Sequence, residues 1–209
     1  VPLIRSGVPS NGVNYLLMAF DLAGLNPELL PYIPIFCRLF TRMAAGDWSY
    51  TDVAEKIAGN TGGLRASNFV GADALDPDVT LTYLTVSVKA LDETYAQALD
   101  IVRRLLLEQD LTDTARLRDV IKQTHERQVS SIIPNGHRFA MHHAARTCSL
   151  SAGLSELWGG VPQVQLVAGL IDATDAELAE LRRKLEAIRN HILNRNGIKL
   201  TFTGAAPYD

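Results

Sequence analysis

The sequence predicts a two-layer α+β fold, with helices packed on one face of a mixed β-sheet. Two observations carry this. The apolar residues recur with a strand-like period over 13–22, 64–71 and 79–90, with a helical period over 28–45 and from 91 to about 192, and with a strand-like period again over 198–203. The predicted strands also do not alternate regularly with helices, which argues against a doubly wound parallel sheet.

Residues 13–22 (VNYLLMAFDL) are apolar almost throughout and follow an Asn11-Gly12 turn signal. They read as a strand covered on both faces, or as a short core segment. Residues 28–45 shift to helical spacing, with Leu29, Ile33, Phe36, Phe40 and Met43 on one face. Pro31 and Pro34 disturb this helix, so it starts with a distorted turn or begins near Pro34. Ser49 is placed to cap a helix over 50–58, with Asp52 at the third position, and Gly59 with Thr61-Gly62-Gly63 ends it.

Two strands follow, over 64–71 and 79–90, joined by an Asp76-Pro77-Asp78 turn. In the second, Thr82, Leu84, Val86 and Val88 face one way and Leu81, Tyr83, Thr85 and Ser87 the other. Both sides are semi-apolar, which predicts an internal strand. Beyond residue 91, Tyr95, Leu99, Val102 and Leu106 form a helical stripe. Residues 112–145 form a helical stretch broken at Pro134-Asn135-Gly136, and residues 151–157 and 164–171 flank a Gly159-Gly160-Val161-Pro162 break. Thr174-x-x-Glu177 is a capping box opening a helix with Leu178, Leu181, Leu185, Ile188 and Ile192 along one side. Asn196-Gly197 leads into a half-buried strand in which Ile198, Leu200 and Phe202 alternate with Lys199, Thr201 and Thr203.

No repeat or linker divides the 209 residues, so a single domain spanning 1–209 is expected. With 47% hydrophobic and 21% charged residues the composition is ordinary for a globular chain. The net charge of −3 supplies no basic field for nucleic acid or a membrane surface. No stretch approaches the roughly 18 apolar residues of a membrane span. Cys37 and Cys148 are too few for a disulfide framework and read as free thiols in a reducing compartment. Residues 1–11 lack the apolar run of a signal peptide, and Val1 in place of Met reads as a processed chain or an excised fragment.

The sequence carries no recognisable catalytic or metal motif. His125-Glu126 begins an H-E-x-x-H string, but Val129 stands where the second imidazole is needed one helical turn on. The inverted H-x-x-E-H string also fails, because His142 and His143 run on into Ala144, Ala145 and Arg146. His137, His142 and His143 read as surface or packing histidines, with convergence on a carboxylate as the alternative. Gly153-Leu154-Ser155-Glu156-Leu157 lacks the second glycine of a nucleophile elbow and sits in a helical stretch. Cys37, between Phe36 and Arg38 on a helical pattern, reads as a small buried thiol. Cys148 would need a placed base such as His142 or His143. The glycines of Gly59-Asn60-Thr61-Gly62-Gly63 follow a helix and precede a strand, the reverse of a phosphate loop. Arg103-Arg104 and Arg182-Arg183-Lys184, beside Glu108, Glu177, Glu180 and Glu186, read as solvated helix faces. No catalytic, cofactor-binding or metal residue is therefore assigned in this chain.

The strings Asn11-Gly12-Val13, Phe20-Asp21-Leu22, Leu29-Leu30-Pro31-Tyr32-Ile33-Pro34-Ile35-Phe36, Ser49-Tyr50, Thr61-Gly62-Gly63 and Leu154-Ser155-Glu156-Leu157-Trp158-Gly159-Gly160 together resemble a known domain. It is the third domain of presequence-protease-type peptidases, in the pitrilysin clan of zinc metallopeptidases related to insulin-degrading enzyme. The resemblance implies a metallopeptidase LuxS/MPP-like fold and a two-part clamshell enclosing a chamber for unfolded peptides. It also implies zinc in the parent enzyme, held by an inverted motif of the first domain, and a substrate-positioning arginine and tyrosine in the last. Neither set maps onto this chain. The implied role is a non-catalytic part of the chamber wall, with the other domains of the parent and unfolded peptides as partners, in a bacterial cytoplasm or an organelle matrix. Two alternatives stand beside it: a stand-alone interaction or scaffold protein of the same fold, and an independent enzyme using Cys148 with His142 or His143.

Overall fold

The structure is a computed structural model that describes residues 1–76, 78–194 and 197–205. Its sheet has five strands in the order β1-β5-β2-β4-β3. β2 (Val13–Asp21) and β4 (Thr80–Leu91) run antiparallel at the centre, with Leu16 opposite Val88. β3 (Gly63–Ala72) pairs antiparallel with β4 and forms one edge. β5 (Ile198–Gly204) pairs antiparallel with β2, and β1 (Leu3–Gly7) lies parallel to β5 at the other edge. The sheet is mixed and carries its helices on one face, as expected.

Within the sheet, two details differ from the sequence reading. β1 is an additional strand: Leu3-Ile4-Arg5-Ser6-Gly7 has all five residues exposed, so no in-out alternation marks it. β2 is not covered on both faces. Phe20 and Leu16 are buried beneath the helices, whereas Tyr15 and Leu17 on the opposite side are 47% and 40% exposed. Apolar residues on both sides of a strand show that it is central, not that both its faces are packed.

The helical layer begins with a 3-10 turn, Pro27–Tyr32, where the Asn26 side chain accepts from the Glu28 N–H at 3.1 Å. α1 (Ile33–Leu39) follows directly, with Pro34 in its first turn. The expected 28–45 helix is therefore two shorter pieces, because Pro31 has no N–H to continue an α-helical ladder. Its predicted face survives: Ile33, Phe36, Phe40 and Met43 are all buried. α2 (Tyr50–Asn60) opens on a complete capping box between Ser49 and Asp52, which holds the Asp52 carboxyl below its usual value.

The Asp76–Asp78 connection closes through a Val79 N–H bond to the Asp76 carbonyl at 3.0 Å, while Pro77 lies outside the described residues. α3 (Tyr95–Leu107) buries Ala98, Ile101, Val102 and Leu105. Its core stripe is thus rotated from the predicted one, and Tyr95, Leu99 and Leu106 pack at its margin. α4 (Thr114–Ile132) and α5 (Gly136–Ala145) are separated at Pro134-Asn135, as expected. α6 (Leu150–Gly159) and α7 (Val161–Gly169) are likewise divided by Gly160. The Trp158 indole N–H of α6 donates to the Leu30 carbonyl at 2.7 Å, joining that helix to the 3-10 turn.

α8 (Asp175–Ile192) has the predicted capping box, and buries the five predicted residues Leu178, Leu181, Leu185, Ile188 and Ile192. Asn196, of the predicted turn after it, lies outside the described residues. Leu16, Phe20, Leu84, Val86 and Val88 of the sheet meet Phe36, Ile101 and Leu185 of the helices, and Phe40 at the end of α1, in one apolar cluster between the layers. Among the described residues no helix is long and apolar enough to cross a membrane.

Candidate functional site

The helices occupy one face of the sheet and leave the other open. There the odd-numbered positions of β2, β3, β4 and β5 present Tyr15 and Leu17, Arg65 and Ser67, Ser87 and Lys89, and Thr201 and Thr203. Residues from all four strands enclose a hollow of about 680 Å³. Alternation on a strand makes this arrangement: the even positions are committed to the core, so the odd positions share the free surface. Hydroxyls and cations dominate, with aromatic rings between them.

The face is internally ordered. Arg65 Nε donates to Ser87 Oγ at 3.3 Å, and Thr85 Oγ1 donates to the Ser67 carbonyl at 3.2 Å. Lys199 Nζ donates to the Tyr83 hydroxyl at 2.6 Å and lies 4.9 Å from that ring's centre. The Tyr83 hydrogen bond raises the Lys199 ammonium above its ordinary value. Phe69 and Tyr83 pack with ring centres 6.3 Å apart. Chemically this surface offers donors, apolar contact and positive charge to an extended chain.

The residues weighed for catalysis lie elsewhere. His142 Nδ1 is 3.1 Å from the Ser155 carbonyl, and His143 Nδ1 is 3.1 Å from Glu156 Oε1, a buried carboxylate. Both imidazoles thus hold α5 to α6. Ser155 donates its hydroxyl to the Ser151 carbonyl at 2.9 Å within α6, with no histidine on it. His125 and Glu126 sit on α4 and His137 on α5. Among the described residues no three His, Cys, Asp or Glu side chains are grouped to hold a metal ion.

The predicted basic faces are mostly as expected. Arg103 pairs with Asp100 at 3.0 Å and Glu108 at 2.9 Å, and Arg182 with Glu186 at 3.6 Å. Lys184 differs: its ammonium donates to the Tyr32 hydroxyl at 2.9 Å and packs over that ring, tying α8 to the 3-10 turn.

Both thiols are free. Burial pushes the Cys37 thiol up to about 12, whereas Cys148 is exposed. A thiol-specific reagent is therefore expected to modify one cysteine quickly in the native protein and the second only on unfolding. Mass spectrometry locates the first label; label on Cys37 in native buffer would contradict the packing described.

A profile of the family described as Peptidase M16 (subfamily C) associated matches residues 1–170. The chain belongs to that family. The mitochondrial presequence protease of Danio rerio is 28% identical over 199 residues, covering 95% of this chain and 19% of the relative. The chloroplastic/mitochondrial presequence protease 1 of Arabidopsis thaliana is 24% identical over 203 residues, covering 97% of this chain and 19% of the relative. The chain thus spans about a fifth of the length of the curated relatives it matches. A crystal structure of a conserved protein from Enterococcus faecalis V583 superposes with a TM-score of 0.65 at 14% identity, over 98% of this chain and 46% of that one. That likeness concerns the fold. Membership of the family agrees with the resemblance carried by the short strings from Asn11 to Gly63 and from Leu154 to Gly160.

The sequence reading did not single out the open face as a site. Its signal was present in the semi-apolar side of β4, where Tyr83, Thr85, Ser87 and Lys89 alternate with buried residues.

Proposed function

We propose that the 209 residues form a single non-catalytic domain of a longer zinc metallopeptidase that degrades unfolded peptides, and that the open sheet face is part of its chamber wall. The observation that carries this reading is the ordered, hydroxyl- and aromatic-bearing surface around Ser87 and Tyr15, in a chain of this peptidase-associated family. A wall needs shape, a lining that tolerates many sequences, and a rigid layer behind it. The hollow supplies the first two, and the helical layer supplies the third.

The zinc of such an enzyme does not fit this chain's residues. Val129 and Arg146 stand where either zinc motif requires a histidine, and His142 and His143 are engaged with Ser155 and Glu156. No step through a metal is therefore assigned here. The presequence proteases it resembles are named mitochondrial or chloroplastic, which supports an organelle matrix or a bacterial cytoplasm as its compartment.

The test is peptide hydrolysis by the purified 209-residue chain, with zinc supplied and with a chelator. No cleavage is expected in either case, because peptide hydrolysis by this clan needs a metal-activated water beside a glutamate base. Cleavage abolished by the chelator would overturn the proposal.

A further inference from the structure

A second cavity, of about 430 Å³, opens at the β3 edge of the sheet, and its chemistry differs from that of the open face. Four successive β3 residues, Arg65, Ala66, Ser67 and Asn68, line it. Side chains on a strand alternate between faces, so four in a row border one cavity only when the strand's edge faces it. Among the described residues β3 pairs with β4 alone, so alternate N–H and C=O groups of its outer edge point this way.

The opposite wall is strongly cationic. Arg38 and Arg42 line it, and no carboxylate lines the cavity among the described residues. Arg42 Nη1 is buried without a partner. Burial, and then the charges of Arg127, Arg38 and Arg116, lower the affinity of Arg42 for its proton, as expected of a cation crowded by its own kind. Two neutral side chains are also unsatisfied there: Gln128 Oε1 and Gln163 Oε1 are buried with no hydrogen-bond partner, and Gln163 is only 3% exposed. Buried polar atoms normally find partners, and three orphans around one cavity describe the ligand that would satisfy them. The guanidiniums ask for an oxyanion, and the amide oxygens ask for an N–H. An inorganic anion supplies only the first. Ile35, Cys37 and Trp158 complete the wall with apolar surface.

We propose that this cavity binds the carboxylate end of an extended peptide. The terminal carboxylate lies against Arg38 and Arg42, a peptide N–H reaches a glutamine oxygen, the last side chain meets the apolar wall, and the preceding residues add along β3. The choice of a peptide rests on the peptide-enclosing role proposed above, whereas the demand for an anion rests on the arginines alone.

The test measures binding to the 209-residue chain by fluorescence anisotropy. The probes are one N-terminally labelled unstructured peptide with a free carboxylate, the same peptide as its C-terminal amide, and inorganic phosphate as competitor. The acid is expected to bind about tenfold or more tightly than the amide, since one charge-assisted contact is lost. Arg38→Gln, at an exposed position that leaves the core intact, is expected to remove most of that difference while leaving the melting temperature unchanged. Gln163→Leu is expected to weaken acid and amide alike. Equal binding of acid and amide, absence of peptide binding, or indifference to Arg38→Gln would overturn the proposal. Binding of phosphate alone, sensitive to Arg38→Gln, would overturn the peptide while keeping an anion site. Failure of the chamber role itself is read separately, from peptide turnover by the longer enzyme.

Discussion

Leu185→Ala is expected to destabilise the protein by about 2–5 kcal/mol. The side chain is fully buried on the inner stripe of α8, in the same apolar cluster as Phe36 and Leu84. Truncation removes apolar contact from both layers and leaves a cavity that close packing fills only in part. Alanine is the better helix former, so the loss comes from packing and not from the helix itself. Against a typical total of about 5–15 kcal/mol the effect is large. Denaturant unfolding checks it: the midpoint is expected to fall with little change in slope. Arg183→Ala serves as the comparison. Arg183 meets Glu180 at 2.5 Å on the exposed side of α8, and a surface pair of this kind is worth at most about 1 kcal/mol. Equal losses for the two variants would mean that α8 is not the packed element described. In the longer zinc peptidase proposed above, Leu185→Ala is expected to lower turnover by loosening the proposed wall while the zinc content stays constant.

Legibility in the sequence followed the source of each signal. The α8 and α2 caps were readable because a capping box is local: Thr174 and Glu177, or Ser49 and Asp52, exchange hydrogen bonds three residues apart. The break at Pro134 and the helix after it were readable for the same reason. Leu3–Gly7 was not, because its place at the edge is fixed by pairing with β5, about two hundred residues away, and it buries nothing. The rotation of α3 shows a related limit. Leu99 and Leu106 are as apolar as Ile101 and Leu105, and only the packed layers decide which of them lies innermost.

The sites were less legible than the fold. No motif marks the cavity at β3, because it gathers Arg38 from the end of α1, Arg42 just beyond it, Arg65 from a strand, Gln128 from α4 and Gln163 from α7. These residues are up to 125 positions apart (163 minus 38) and share no spacing rule. The rejected candidates behaved differently. Val129 and Arg146 exclude a zinc motif on sequence alone, because two imidazoles one turn apart are a local requirement. Folding then adds that His142 and His143 bridge α5 to α6, which no spacing could show.

The central claim is that this domain encloses peptides without taking part in their chemistry. Deleting residues 1–209 from the longer peptidase proposed to carry them is the most direct measurement, with turnover of a long unstructured peptide and bound zinc read on the same preparation. A chamber lacking one wall neither confines the substrate nor excludes bulk water from it, so turnover is expected to collapse. Zinc is expected to remain, because the proposal places its ligands outside these residues. A parallel variant keeps the fold and fills the hollow: Ser87→Trp, on the open face, is expected to lower turnover of the long peptide without changing zinc content or unfolding midpoint. Lost turnover with retained zinc is the predicted result, and full peptide turnover by the deleted enzyme would contradict the account.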